Sequence, residues 1–344
     1  LLVLTEGNTF SGGITLSSGT LQIPQDSALG TGDITLSGGT LLGSGSFEIT
    51  RDISLTSAVN FTPNATMNLS GIISGAGSVT ATGEGILALN GVNTYSGDTT
   101  VSSGTLRGTG TIPAALVNNA TVAPGNSIGT MTVLGNYTQD SSANLAIEID
   151  RDGNTDLLDI TGTATLAGTI TITPASGYYL EGTAYTFLTA DSGLGGTTFD
   201  TFSNPDAIPG TLSYTATSAV FTVDAHHPHL PVPLSQLTGN ARSIAQYLFR
   251  SGNLPSNPDL ATVANSLLSL GKADFATALR RLGPTQFGAL PLTSVQSDVR
   301  LAQSVTETWR SWALCNDCDY REIAEQVRER KEQETEKMIN SILK

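Results

Sequence analysis

Two stretches of this chain, residues 8–21 and residues 93–106, carry nearly the same sequence. They align without a gap, and ten of the 14 aligned positions are identical. A shorter copy, residues 32–41, resembles residues 12–21 and begins soon after they end. Copies that recur along a chain in this way indicate a structural repeat, whose unit here is about 20 residues.

Each unit alternates apolar and polar residues on both sides of a turn. Ile14 and Leu16 precede the sequence Ser-Ser-Gly, and Leu21 and Ile23 follow it. This pattern predicts strand, turn, strand. A unit this short cannot bury its own apolar face, whereas stacked units share one continuous core. We therefore expect a mostly β protein, a right-handed parallel β-helix, with about eleven coils in residues 1–225.

Two pairs of residues occupy equivalent positions in the repeats. They are Asn8 with Asn93, and Phe10 with Tyr95. In stacked coils such residues can form amide or aromatic ladders. The alternative is that they contact carbohydrate.

The charge of the chain is distributed unevenly. Before Leu230 there are three basic and 18 acidic residues, a net charge of −15, whereas the remainder has 13 basic and 12 acidic residues. The acidic part lacks the clustered cations that nucleic acids require. It also lacks the cationic face that anionic lipids attract. No nucleic-acid partner is expected.

The change of pattern along the chain predicts five segments. They are the β-helix repeats (1–122), a C-terminal β-helix cap region (123–223), a Pro/His linker (224–234), a helical connector (235–312) and a charged helical tail (313–344). The cap region is assigned from its longer, more aromatic strands, because the open end of a solenoid needs an apolar cover.

The connector has the helical period of 3.6 residues, and it predicts four short helices. The first follows Thr238 as N-cap, and the second begins at Asn257-Pro258 and ends at Gly271. The third contains Phe275 and Leu279, and the fourth covers residues 295–309.

Several of these segments resemble a known family. Residues 93–106 are similar to the passenger-associated repeat of bacterial autotransporters, the proteins of type V secretion, and residues 122–139 and 156–170 resemble later parts of the same passengers. Residues 240–248 and 278–290 are more loosely similar to the helical segment that follows. The resemblance implies a protein of the bacterial cell surface or outer membrane, or a secreted one.

The family continues after such a connector into an outer-membrane β-barrel, which would be a partner of the passenger. This sequence instead continues after Trp312 into a charged helical pattern. Since it also begins inside a repeat without Met, we expect it to be a fragment lacking its barrel.

The resemblance and the repeats together predict a structural stalk or adhesin that is not an enzyme. Its partners would be surface molecules or glycans of host or neighbouring cells, with no small-molecule substrate. A bare stalk is a second interpretation. A β-helical carbohydrate-active enzyme, either a polysaccharide lyase or a glycosidase, is the alternative from another class, because a glycosidase needs only two carboxylates.

Residues 150–160 contain the densest set of carboxylate and amide oxygens. Asp150, Asp152, Asn154 and Asp156 have the alternate spacing of a calcium loop around Gly153. The competing interpretation, which we favour, is a hairpin turn in which Asp and Asn serve turn chemistry. No cofactor other than calcium is predicted.

Two smaller motifs could bind metal. His226, His227 and His229 form a short His-rich tract, but it has no accompanying carboxylate or Cys at ligand spacing, and a solvated linker is the favoured interpretation. Cys315 and Cys318 have the spacing of half a zinc site and lack the other half, so we expect an ordinary pair of thiols. All three histidines lie outside the repeats, which argues against a serine-protease triad there.

Overall fold

A computed structural model describes residues 1–225, 227–249, 264, 266–268 and 270–281. The chain divides into two compact units, one from Leu1 to Leu230 and one that begins at Pro231. The first unit is built almost entirely of short strands.

The strands of the first unit are two to seven residues long and separated by tight corners. In chain order they are β1 (Leu2–Val3), β2 (Ile14–Leu16), β3 (Thr20–Ile23), β4 (Ile34–Leu36), β5 (Thr40–Gly43), β6 (Phe47–Ile49), β7 (Ile53–Leu55), β8 (Val59–Pro63), β9 (Thr66–Leu69), β10 (Ile73–Gly75), β11 (Val79–Ala81), β12 (Ile86–Leu89), β13 (Thr99–Val101), β14 (Thr105–Gly108), β15 (Thr111–Ile112), β16 (Leu116–Asn118), β17 (Thr121–Pro124), β18 (Thr130–Val133), β19 (Tyr137–Gln139), β20 (Asn144–Ile149), β21 (Leu157–Ile160), β22 (Ala164–Thr165), β23 (Thr169–Pro174), β24 (Gly177–Tyr179), β25 (Ala184–Ala190), β26 (Thr201–Ser203), β27 (Gly210–Tyr214), β28 (Ser218–Val223) and β29 (His227–His229).

These strands stack in sheets that run along the unit. Sheet A has nine strands in the order β1-β3-β5-β8-β11-β13-β16-β19-β22, and sheet B has the order β10-β7-β4-β2. Sheet C has eight strands, β26-β23-β20-β17-β14-β12-β9-β6, and sheet D has the order β15-β18-β21-β25-β28-β27. All pairs in sheets A to C are parallel, and the chain visits the sheets in turn. The first unit is therefore the predicted parallel β-solenoid.

The predicted number of coils is wrong, because the later coils are longer than the repeat unit. Sheet A has nine strands, fewer than the eleven levels that a coil of constant length gives. Leu21 pairs with Leu41 in the next coil, whereas Tyr137 pairs with Ala164. The second of these steps takes more of the sequence than the first, so the same length of chain makes fewer coils.

The core consists of columns of identical or similar side chains, one from each coil. In sheet B the column is four isoleucines in register, Ile14, Ile34, Ile53 and Ile73. In sheet C it is apolar throughout: Phe47, Met67, Leu87, Leu106, Val122, Leu145, Ile170 and Phe202. Since each column continues into the next coil, burial is shared as the repeat pattern predicts.

One core column of sheet A changes from apolar to polar. Its first members are Leu21, Leu41, Phe61, Ala81 and Val101, and its next two are Asn118 and Gln139. These two amides are buried beside the Tyr137 hydroxyl, which donates to Gln139 Oε1 at 2.6 Å. Gln139 Nε2 in turn donates to the carbonyls of Ala143, Ala167 and Thr169. The network gives the buried amides of Asn118 and Gln139 the hydrogen-bond partners that buried polar groups need.

The last strands of the first unit abandon the parallel arrangement. Strand β28 pairs antiparallel with both β25 and β27. An aromatic cluster lies beneath them, in which the Phe221 ring is 6.3 Å from Tyr185 and 5.6 Å from Phe202. Large rings here replace the aliphatic columns of the earlier coils.

The two equivalent asparagines of the repeat, Asn8 and Asn93, each donate a hydrogen bond to the backbone of a neighbouring coil. Asn8 Nδ2 donates to Ala28 O at 2.9 Å, and Asn93 Nδ2 donates to Thr111 O at 3.0 Å. Asn93 Oδ1 also accepts the Ile73 N–H at 2.9 Å. Both amides therefore tie coils together through the backbone, which differs from the predicted amide ladder.

The aromatic residues at equivalent positions of the repeat, Phe10 and Tyr95, differ in burial. Phe10 is exposed, whereas Tyr95 is buried and its hydroxyl lies 2.5 Å from Thr99 Oγ1. Their environments differ although their sequence positions correspond.

The second unit contains a short 3-10 helix (Leu234–Gln236) and two α-helices with described bounds, α1 (Gly239–Leu248) and α2 (Lys272–Arg281). The two α-helices match the first and third predicted helices, and Thr238 is the N-cap residue of α1, although its side chain forms no capping hydrogen bond. Of the second predicted helix, residues 264 and 266–268 are described and are helical. The fourth predicted helix and the predicted tail lie outside the described residues. Within the described part, no helix is long and apolar enough to cross a membrane.

The predicted linker contains a short strand. Strand β29 pairs antiparallel with β24 through Tyr179 and His227 and through Gly177 and His229. The sequence around Pro228 does not alternate apolar and polar residues, so it did not predict a strand. The pairing instead follows from the free edge of β24.

Candidate functional site

Outward-facing hydroxyl groups form a row along sheet A. The row occupies one register position, where the residues are Thr20, Thr40, Asn60, Thr80, Thr100, Val117, Thr138 and Thr165. We call it the hydroxyl row. Neighbouring strands lie about 4.8 Å apart, so the row presents threonine hydroxyls at multiples of that spacing, interrupted by Asn60 and Val117. Such a surface can make many equivalent weak contacts.

A cleft interrupts the outer face of sheet C where two of its strands separate. Strand β17 pairs with β20 only through Thr121 with Asn144 and Val122 with Leu145. Beyond these pairs β20 continues to Ile149 as a ladder with β23, and Ile149 also forms an antiparallel bridge with Thr155. The opening is a cavity of about 130 Å³ whose lining includes Arg107 and Glu148. We call it the sheet C cleft.

Arg107 projects into this cleft from β14. Its ladder partners are Ala88 and Ala123, whose small side chains leave the guanidinium room. Its Nε is buried and has no hydrogen-bond partner within the described residues. The other two basic residues of the first unit differ, since Arg51 pairs with Asp26 at 2.8 Å and Arg151 lies 3.8 Å from Asp152. A buried donor without a partner is costly unless a ligand or water satisfies it.

Asp156 forms the inner wall of the cleft. Its side chain is 1% exposed, Oδ1 accepts the Gly129 N–H at 2.9 Å, and Oδ2 accepts the Glu148 N–H at 2.7 Å. Burial raises the pKa of Asp156 to about 7, although both N–H groups and the charge of Arg107 act in the opposite direction. Asp156 therefore joins β20 to the loop that leaves β17.

The loop after β17 needs glycine where it meets this carboxylate. Gly125 has φ +87°, and a Cβ there would lie 2.7 Å from Asp156 Oδ1 and 2.1 Å from Ser127 O. Both the conformation and the contact exclude larger residues. The turn and Asp156 thus shape the cleft together.

The four residues proposed for calcium do not point to one centre. Asp150 Oδ1 accepts the N–H groups of Asp152 and Asn154, each at 2.9 Å, and its Oδ2 accepts Asn154 Nδ2 at 2.7 Å. Asp156 is engaged with Gly129 and Glu148 instead. These contacts are those of an Asp-capped hairpin turn, while calcium binding stays a prediction.

The other candidate metal ligands are placed only in part. His227 and His229 lie on β29, whereas His226, Cys315 and Cys318 lie outside the described residues. Burial lowers the pKa of His229, and Asp206 opposes this shift. In the described portion of the chain, no group of three or more His, Cys, Asp or Glu residues is arranged to hold a metal ion.

Sequence reasoning missed the sheet C cleft. Arg107, Glu148 and Asp156 belong to different strands or turns, and Arg107 is far from the other two in the sequence. Two signals were available: Arg107 is one of only three basic residues before Leu230, and the sequence Pro124-Gly125 ends a strand. Neither reveals that β20 continues past the end of β17.

Comparison with known proteins supports the resemblance to autotransporter passengers. A family model described as the passenger-associated-transport-repeat matches residues 2–23 and 79–107. The chain is 32% identical over 160 residues to the adhesin BmaC autotransporter of Brucella suis biovar 1 (strain 1330), which covers 40% of this chain and 5% of that protein. It is 33% identical over 152 residues to an extracellular serine protease of Serratia marcescens, which covers 36% of this chain and 14% of that protein. The matches thus span a small part of each relative.

Proposed function

We propose that this chain, which carries the repeats of a bacterial autotransporter passenger, acts as a non-enzymatic stalk or adhesin that is displayed on the bacterial surface or secreted. Its partners are surface molecules or glycans of host or neighbouring cells. The observation that carries the proposal is the hydroxyl row of sheet A, in which six of the eight positions from Thr20 to Thr165 are threonines. The relative named as an adhesin supports the same role.

Adhesion by such a surface depends on the number of weak contacts rather than on one strong contact. Each hydroxyl contributes little, but contacts made by one rigid body act at a high effective concentration. The stacked apolar columns supply the rigidity, since each coil is packed on its neighbours. Loss of one contact is then tolerated and loss of several is not.

The test is binding of the full chain to cultured host cells and to immobilised cell-surface glycans. We expect single Thr→Ala substitutions at Thr40, Thr80 or Thr100 to have small effects, and the triple variant to lose most of the binding. The matched control replaces Thr15, Thr35 and Ser54, which are in register on sheet B. Equal losses in both triple variants, or no binding by the unmodified chain, would contradict the adhesive role.

A carbohydrate-active enzyme is the second candidate, and the sheet C cleft is the observation that favours it. The cleft contains two carboxylates, and Asp156 has the raised pKa of a general acid. Against this, both Asp156 oxygens already accept backbone N–H groups and the side chain is almost completely covered. A proton donor must reach the glycosidic oxygen.

The enzyme alternative has its own measurement. The full chain is incubated with a panel of polysaccharides, and the release of reducing ends or unsaturated products is followed. We expect none. Product release that disappears in Glu148→Gln would overturn the non-enzymatic assignment, while unchanged release in that variant would place the activity elsewhere and overturn it equally.

A further inference from the structure

We propose that the sheet C cleft binds the terminal residue of a neutral glycan through vicinal hydroxyl groups, with Arg107 as hydrogen-bond donor and Glu148 as acceptor. This names a ligand for the adhesive role proposed above and in that respect rests on it. The site itself is argued from the geometry of the cleft.

The first argument is the unsatisfied donor. Arg107 Nε is buried without a partner, and Arg107 forms no ion pair within the described residues. A guanidinium carries five N–H donors and no acceptor. A ligand in the cleft must therefore offer oxygen atoms to it.

The second argument is the acceptor that lines the same cleft. Glu148 is exposed on β20, and its ladder partner is Thr173, which also lines the cleft. A ligand that accepts from Arg107 must at the same time donate to Glu148. Hydroxyl groups do both, and two adjacent hydroxyls can reach both partners.

Charge and size exclude the main competitors. A carboxylate or sulfate on Arg107 would lie beside Glu148 and the acidic first unit, and it would be repelled. An ammonium group would leave Arg107 unsatisfied and next to a like charge. The cavity of about 130 Å³ is smaller than the ~300 Å³ at which pockets for drug-sized ligands begin, so it admits one small group.

The walls of the cleft are fixed before a ligand arrives. Asp156 holds β20 to the loop through Glu148 N and Gly129 N, and Gly125 permits the close approach. Asp156 itself is covered, so we assign it a positioning role. A preformed site loses less entropy on binding than a mobile one.

The experiment measures binding of methyl glycosides of galactose, glucose, mannose and fucose to the full chain by saturation-transfer NMR. Methyl glucuronate and glucosamine serve as anionic and cationic probes. We expect at least one neutral glycoside to bind, with a Kd on the order of millimolar. Its deoxy analogue that lacks one of the vicinal hydroxyls should bind more weakly.

Variants locate the site. Arg107→Ala should weaken binding roughly tenfold, since hydrogen bonds to charged groups have about that effect. Glu148→Gln should weaken it less, because the amide keeps one acceptor oxygen. Arg51→Ala is the matched control, as it removes a cation from another part of the same solenoid, and its binding should equal that of the unmodified chain. Thermal melting of each variant checks that it is folded.

Three outcomes overturn the inference: no neutral glycoside binds the folded chain, Arg107→Ala binds as well as the unmodified chain, or only a charged probe binds. Cell binding is measured in parallel. If cells bind both the unmodified chain and Arg107→Ala equally while no glycoside binds, the glycan inference fails and the adhesive role stands. If glycosides bind at Arg107 but cells do not bind, the adhesive role fails and the site stands.

Discussion

The regular coils (residues 1–122) and the segment that follows them (residues 123–223) are built differently. In the regular coils all ladders are parallel, and up to Val101 successive coils have the same length and an apolar core column in sheet A. In the later segment the coils lengthen and the last strands turn antiparallel. The sheet A column changes from apolar side chains to amides near the boundary, at Asn118 and Gln139. Repeated sequence gives coils of equal length and parallel strands. Coils of other lengths and antiparallel strands appear where the sequence repeat ends.

Phenylalanine-to-alanine substitutions in the two regions should give the largest effects. Phe61 lies in an apolar column, whereas Phe221 packs against Tyr185 and Phe202. Each substitution should lower the free energy of unfolding by about 3–5 kcal/mol, with Phe221→Ala the more costly. Chemical denaturation measures the loss, and hydrogen exchange should show it confined to the coils around each site. Loss of protection along the whole solenoid from either variant would contradict this local behaviour.

The polar part of the sheet A column should be less tolerant than its apolar part. Gln139→Met removes the side-chain donor to the carbonyls of Ala143, Ala167 and Thr169, although Ala143 keeps the Thr169 N–H, and should cost about 1–3 kcal/mol. Leu41→Met, the control in the same column, conserves volume and should cost less than about 1.5 kcal/mol. Equal unfolding midpoints for the two variants would show that the network is dispensable.

Asp156 should make the later segment sensitive to pH. Its pKa is about 7 in the folded protein against the ordinary 3.8, so the folded state binds more protons between these values. The free energy of unfolding should therefore fall as pH rises from about 4 to about 7. Denaturation at several pH values should show a flatter dependence for Asp156→Asn. The control Asp152→Asn, at an exposed position, should keep the dependence of the unmodified chain, and identical slopes in all three proteins would refute the assignment.

The two copies of the repeat asparagine allow a comparison within the regular coils. Asn93→Ala leaves the buried Ile73 N–H and Thr111 carbonyl unpaired and should cost about 1–3 kcal/mol. Asn8→Ala removes a bond in a more exposed place and should cost about 0.5–1.5 kcal/mol. Thermal melting ranks the two, and a reversed order would mean that burial does not set the cost.

The loop that contains Asp150 should give the smallest effect. Asp150→Ala removes the acceptor of two loop N–H groups, and it should cost about 0.5–1.5 kcal/mol. If the loop is only a turn, calcium and a chelator should leave the melting midpoint of the unmodified chain unchanged. A midpoint that rises with calcium and no longer does so in Asp150→Ala would support the calcium interpretation instead.

The fold could be predicted from the sequence because its signal is repeated. Thr20-Leu21 and Thr105-Leu106 belong to copies of one motif, and both place the Leu inward and the Thr on an outer face. The cleft could not be predicted, since it depends on the relative lengths of β17 and β20. The aromatic residues of 178–221 indicated a heavier apolar cover, but not that β28 would run antiparallel.

The sequence by itself determined the repeat unit and the parallel stacking of apolar columns, because both follow from periodicity along the chain. Only the tertiary structure decided that Asn118 and Gln139 share a buried network with Tyr137, and that Arg107 and Glu148 line one cleft. Those contacts join residues of different coils, and their formation depends on coil length. Extra residues in a corner leave the strand columns of sheet C in register, and they change which side chains meet outside those columns.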